Sequence, residues 1–278
     1  MSGILSIATC QHGVSADIES NLSAVRKQIK LAAARGADIA HFSECNLSGY
    51  AGEDFQNVNN QDNNTLQEAL KEIRELADSL NIWVIIGSHH FEENNEKPFN
   101  SLYLINDRGE ILNRYDKRLL TRPPIENEIN HYSPGTDPVV FSINGIACGL
   151  LICHEWRYPE LYREYKSMNC KVIFQSWYDG NLSIERYRKE GKELGELITG
   201  TVRGNAANNH LWISASNTSR KESSFACFLV QPDGRILKKQ VRNREGIFIS
   251  RIDTGKKFID PSSHHRNRLI NMQSSGNE

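Results

Sequence analysis

Gly149-Leu150-Leu151-Ile152-Cys153-His154-Glu155-Trp156-Arg157-Tyr158-Pro159-Glu160-Leu161 reads as an apolar strand that stops at a cysteine and soon enters a helix with proline in its first turn. Cys153 therefore sits at a strand-to-helix junction. Backbone N–H groups of such a junction, with the positive end of the following helix, stabilise a thiolate and later an oxyanion. An isolated thiol with a pKa near ~8.5 is only a few per cent ionised at pH 7, so a nucleophile there needs a cation or base close by. The plain alternative is a cysteine that fills the sheet, as Cys10, Cys148 and Cys227 are expected to do.

Working outward from this segment, runs rich in branched and aromatic residues recur at 4–9, 38–42, 82–88, 101–105, 146–152, 171–175 and 211–216. Helical patterns lie between several of them. Residues 17–34 put Ile18, Leu22, Val25, Ile29 and Ala33 on one stripe ending near Gly36, and Thr65-Leu66-Gln67-Glu68 reads as a capping box opening a helix to Leu80. Asn144-Gly145 and Pro232-Asp233-Gly234 are tight-turn signals, so antiparallel hairpins are mixed with helix-linked strands. The class is α/β. Between Lys117 and Pro138 the periodicity is lost around Arg122-Pro123-Pro124 and Ser133-Pro134-Gly135, which marks a long functional loop. No fixed-period repeat or Gly/Ser linker divides the chain, so one domain is expected over 1–278, with a core at about 4–253 and a tail at 254–278.

The 278 residues suffice to bury a core without disulfides or metal. Lys and Arg number 33 against 34 Asp and Glu, a net charge of −1 that gives no basic field for nucleic acid or an anionic membrane. No apolar stretch is long enough to span a bilayer. The six cysteines show no C-x-x-C spacing, and the first residues lack a basic leader, which together point to reduced thiols in the cytoplasm.

Two other strand ends carry charge. Residues 38–42 run into Phe42-Ser43-Glu44 and then a turn at Ser48-Gly49-Tyr50, and 112–116 run into Lys117. Either residue alone reads as a surface charge. A carboxylate, an amine and a thiol at three strand ends read as a site, because α/β folds place sites at strand C-termini.

With these residues in place the chain resembles the nitrilase superfamily of carbon–nitrogen hydrolases, whose catalytic set is a glutamate, a lysine and a cysteine in that order. Glu44, Lys117 and Cys153 match, with Phe42-Ser43-Glu44, Tyr115-Asp116-Lys117 and Cys153 to Glu160 resembling the three motifs. Glu128, seven residues before Gly135, stands where many members carry a second glutamate, and the resemblance implies that it orients Lys117 and the substrate. The likeness extends through Phe174 to Trp177, Val202 to Asn217 and Glu245 to Phe248, over roughly residues 4–253. One departure is Asn208, where many relatives have glutamate.

The resemblance implies a four-layer α-β-β-α sandwich of two mixed sheets with outer helices, and hydrolysis through a thioester without metal or organic cofactor. Its substrates would be a linear amide or an N-carbamoyl compound, with nitriles on the same triad still open. Homodimers or larger homo-oligomers are also implied. His154, Tyr50, Trp177, Tyr178 and Arg157 are expected at the substrate. Three rivals remain: a Cys-His-Asn site using His210 or His154 with Asn208 or Asn209, a metal-dependent phosphoesterase using Glu44, Asp179, Asn181 and His264 or His265, and a non-catalytic binding protein on the same scaffold.

Overall fold

The apolar runs pair into two sheets whose central strands have both faces covered, which the near-continuous branched residues anticipate. The computed structural model of the chain describes residues 3–56, 58, 61–122, 128–180 and 182–274. Along the first sheet lie β1 (Ile4–Gln11), β2 (Ile39–His41), β3 (Trp83–His90), β4 (Phe99–Ile105) and β5 (Ile111–Asp116). The second is built from β6 (Val140–Ile143), β7 (Ile146–Ile152), β8 (Val172–Ser176), β9 (Trp212–Ser216), β10 (Phe228–Val230) and β11 (Ile236–Lys239). β12 (Gly246–Asp253) returns to the first sheet, giving the orders β12-β1-β2-β3-β4-β5 and β11-β10-β9-β8-β7-β6. Both sheets are mixed: β1, β2 and β3 are parallel, as are β7, β8 and β9, and the outer pairs are antiparallel.

Side-chain alternation sorts the core into layers. Leu5, Ile7, Ile39 and Ile85 face the second sheet, packing with Leu150, Ile152 and Phe174. Their neighbours Ala8, Cys10, Ala40, Val84 and Ile86 face α1 (Ile18–Ala34) and α2 (Asn63–Leu80). The opposite outer layer is α3 (Pro159–Ser167) and α4 (Ile184–Asn209), with Tyr162, Tyr165, Ile198 and Val202 turned to the second sheet. This is the expected four-layer sandwich. Past β12, α5 (Ser263–Ser274) is tied back through Arg266, which bonds Asp260 and the Asn208 carbonyl.

Local signals act largely as read, with one correction. Asp17 caps α1 by accepting from the N–H groups of Glu19 and Ser20 at 3.0 and 3.2 Å. The cap of α2 is Asp62, three residues before the expected Thr65, and Thr65 instead donates its hydroxyl to Asp62 at 2.6 Å. A carboxylate outcompetes a hydroxyl for the orphan N–H groups at a helix start. Asn144 and Gly145 join β6 to β7 with φ of 51° and 74°, a geometry in which these two residue types carry little strain.

A polar clamp crosses between the sheets. His41 of β2 reaches Ser214 of β9 at 2.9 Å through Nδ1 and Ser176 of β8 at 3.0 Å through Nε2. The Ser176 hydroxyl then donates to the Phe42 carbonyl at 2.7 Å. Burial holds the His41 pKa down at about 3, so the ring is a neutral strut.

Candidate active site

Three chain segments converge where the sheets meet. Glu44 lies in the turn after β2, Lys117 is the first residue past β5, and Cys153 is the first past β7. Lys117 donates to Glu44 Oε1 at 2.8 Å and to Glu128 Oε1 at 2.6 Å, and all three side chains are essentially without exposed surface. Asn100 of β4 donates through Nδ2 to the same two oxygens, at 2.7 Å to Glu44 and 3.3 Å to Glu128. Glu44 Oε2 accepts from the Tyr178 N–H at 2.8 Å, and Glu128 Oε2 from the Thr121 N–H at 2.7 Å. Glu128 itself opens a short 3-10 turn, Glu128–Asn130.

The charges sort themselves by these contacts. Burial would lower the Lys117 pKa, but Glu128, Glu44 and the nearby Cys153 together raise it well above the usual lysine range. Burial pushes Glu128 up, and Lys117, the Thr121 N–H and a bond from the Tyr50 side chain more than reverse this, leaving it low. For Glu44 burial wins: with Lys117 opposing and Glu128 assisting, its pKa rises to about 6. One carboxylate is thus a fixed anion and the other is poised to exchange a proton near neutral pH.

Cys153 has φ of 38° and begins a 3-10 turn, Cys153–Arg157, with α3 starting at Pro159. A non-glycine residue at positive φ is held there only by its surroundings. Here the holder is Glu155, fully buried, which accepts from Ile152 N–H at 2.7 Å, Arg118 N–H at 2.8 Å, Leu119 N–H at 3.3 Å and the Tyr115 hydroxyl at 2.8 Å. It ties the cysteine turn to the strand end carrying Lys117. Cys45, next to Glu44, also has positive φ, at 47°.

Cys153 is half-buried and lines a cavity of about 80 Å³ with His154, Arg157, Trp177 and Tyr178. Four of the five residues expected at the substrate are therefore on its wall. Tyr50 is one layer back, stacked on Tyr178 at 4.8 Å and bonded to Glu128. His154 has its pKa lowered to about 4 by burial, Lys117 and Arg157, which keeps it neutral and makes it a weak proton acceptor. Thr121, Asn100 and Glu155 were not anticipated. Only Glu155 carried a local signal, as a carboxylate inside the cysteine motif.

The rival constellations are not assembled. His210 caps α4 with its ring against Phe258 and its Nδ1 at 3.5 Å from Asp260, while Asn208 is exposed. Asp179 is committed to the N–H and hydroxyl of Ser224, both at 2.6 Å. His264 and His265 lie against each other on α5, and Asn181 is outside the described residues. Residues 57, 59, 60 and 123–127 also lie outside the described residues.

The model of the carbon-nitrogen hydrolase family matches residues 6–256. Nitrilase homolog 2 of Dictyostelium discoideum is 27% identical over 212 residues, covering 74% of this chain and 61% of that protein. A glutamine-dependent NAD(+) synthetase of Acinetobacter baylyi is 25% identical over 88% of this chain, which spans only 44% of that protein. Omega-amidase NIT2 of Homo sapiens is 25% identical over 260 residues, 90% of this chain and 89% of that protein. Among solved structures, an amidase from Nesterenkonia sp. superposes with a TM-score of 0.76 at 19% identity, covering 95% of each chain.

Proposed function

The chain belongs to the carbon-nitrogen hydrolase family, and on that premise we propose that it hydrolyses a non-peptide carbon–nitrogen bond, in a small amide or N-carbamoyl compound, through a cysteine thioester. The observation that carries this reading is the buried Glu44–Lys117–Glu128 array, with the poised carboxylate and the ammonium set beside the cysteine turn. Glu44 takes the Cys153 thiol proton as sulfur bonds to the carbonyl carbon. Two protons of Lys117 are spent on Glu44 and Glu128, and the third, with the His154 backbone N–H, meets the tetrahedral oxyanion. Collapse breaks the carbon–nitrogen bond, and Glu44 returns its proton to the departing ammonia or amine. Water, deprotonated by Glu44, then attacks the thioester, and the leaving thiolate recovers that proton.

Amides rank above nitriles because relatives spanning most of this chain, such as omega-amidase NIT2, are named as amidases. Cytoplasmic residence agrees with six cysteines that form no disulfide, and assembly as a homodimer, checked by light scattering, completes the proposal. Replacing Cys153 by Ala should abolish ammonia release from a panel of amides and ureido compounds while leaving the circular dichroism unchanged. Retained turnover in that variant would remove the nucleophile and the proposal with it.

A further inference from the structure

Two of the donors that hold the buried carboxylates come from a stacked pair of tyrosines. Tyr50 bonds Glu128 through its side chain and Tyr178 gives its backbone N–H to Glu44 Oε2 at 2.8 Å, with the two rings 4.8 Å apart and 15° from parallel. One carboxylate ties the pair together. Asp54 Oδ2 accepts from the Tyr50 N–H at 2.9 Å and from the Tyr178 hydroxyl at 2.9 Å. The Asp54 side chain is only 5% exposed, and Arg220 Nη1 meets it at 2.5 Å from the solvent side. The same guanidinium bonds the Tyr178 hydroxyl and lies 5.6 Å from the centre of its ring. Arg220 is itself anchored. The adjoining Thr218 hydroxyl and Ser219 N–H donate to the His12 carbonyl, just past β1, at 3.2 and 2.9 Å. Its stem lies so close over Gly180 that a Cβ there would stand 2.9 Å from the Arg220 Cβ. Loops that follow β2, β8 and β9, and so both sheets, meet in this ion pair.

We propose that Asp54 and Arg220 are positioning residues for the reaction: their ion pair clamps the Tyr50–Tyr178 stack, and the stack in turn sets the hydrogen bonds that aim Glu44 and Glu128 at Lys117. This rests on the hydrolase reading above. Stacking alone fixes the spacing of two rings but little of their direction, whereas a nearly buried carboxylate meeting three donors fixes both. Without the guanidinium that carboxylate is a charge with little water and no cation, and it must move toward solvent, drawing the tyrosines with it. The Tyr178 N–H favours Glu44 only as the anion, so a longer bond raises the pH at which Glu44 gives up its proton. Lys117, Glu128 and Cys45 face Glu44 from the other elements, and the Glu53 carboxylate lies near Tyr178. Lys117 stays charged, Glu128 stays anionic and burial keeps the Cys45 thiol protonated, so Glu44 is the member of this set that titrates near neutral pH.

The test reads Glu44 through its own donor. In the substrate-free protein the backbone ¹⁵N–¹H resonance of Tyr178 should titrate near pH 6 with Glu44. Arg220→Met, which keeps the stem and removes the charge, should move that midpoint upward by about one pH unit, and Arg220→Lys should return most of the shift. The acid limb of kcat/KM, measured with the most active member of the amide and ureido panel, should move by the same amount. On its plateau kcat should fall about three- to tenfold while KM stays within about twofold. Where Arg220→Met does not fold, Tyr178→Phe, which removes only the hydroxyl that meets the pair, carries the test with a shift in the same direction. A midpoint and acid limb unmoved by these variants overturn the proposal. So does an activity loss equal at every pH, which is what general loosening of the fold would produce. A midpoint that moves as expected, in a wild type that releases no ammonia from any member of the panel, leaves the clamp standing and removes the hydrolase reading instead.

Discussion

A lysine with no exposed surface keeps its charge at position 117 because two carboxylates lie within 2.8 Å of its nitrogen. Removing one charge of such a set leaves the others uncompensated, and the proposed mechanism asks Glu44 to give up and regain its charge within that set. With its pKa near 6, Glu44 must lose its proton to act as base. The acid limb of kcat/KM should therefore break near pH 6, falling about tenfold per pH unit below it and flattening above. A break near 4.5, the ordinary glutamate range, would show that burial does not tune this group. Glu44→Gln, which cannot take a proton, should lower kcat by about a hundredfold or more in a stopped ammonia assay.

At the level of elements, the site is a set of strand ends held at unusual backbone angles. Gly87 of β3 runs directly beneath the turn that carries Glu44: a Cβ there would collide with the Ser43 carbonyl and the Cys45 N–H. Gly87→Ala should thus push Glu44 off its partners, lowering kcat more than tenfold, with a stability loss of about 1–3 kcal/mol in urea unfolding. Wild-type kcat in that variant would mean the turn is free to shift. Glu44 and Cys153 were legible as residues closing apolar runs, and Lys117 as a charge at the end of a further strand. Asn100 and Thr121 were not, since an amide at the start of β4 and a threonine in a long loop become site residues only when β4, β5 and the Glu128 turn are stacked together. Asp62 was passed over at α2 because the Thr65–Glu68 spacing imitates a cap that the nearby carboxylate supplies better.

Across the whole molecule, the central strands of the sheets were legible because strands covered on both faces leave long branched runs, whereas the clamp between the sheets was not, since His41, Ser176 and Ser214 are far apart in sequence. That clamp has a cost in acid. His41 and His89 are fully buried, and burial lowers both to about 3, while the unfolded chain protonates them near 6.5. Their neutral burial adds stability that is complete above pH 6.5 and is lost as pH falls toward 3, at up to about 1.4 kcal/mol per unit for each ring. Glu44 and Glu155, raised rather than lowered by burial, work in the opposite sense, while His12 and His154, also lowered by burial, add to the two rings. Urea midpoints should accordingly drop between pH 6.5 and 4.5, and a flat profile would count against both buried rings. Finally, β1 pairs along its whole length with β12, from Ile4 opposite Asp253 to Gln11 opposite Gly246. During synthesis at roughly 5–20 residues per second, β1 leaves the ribosome on the order of ten seconds or more before β12. Throughout that interval its ladder of peptide groups is open to strands from adjacent nascent chains, so the yield of folded enzyme should depend on translation speed and on holdase capacity.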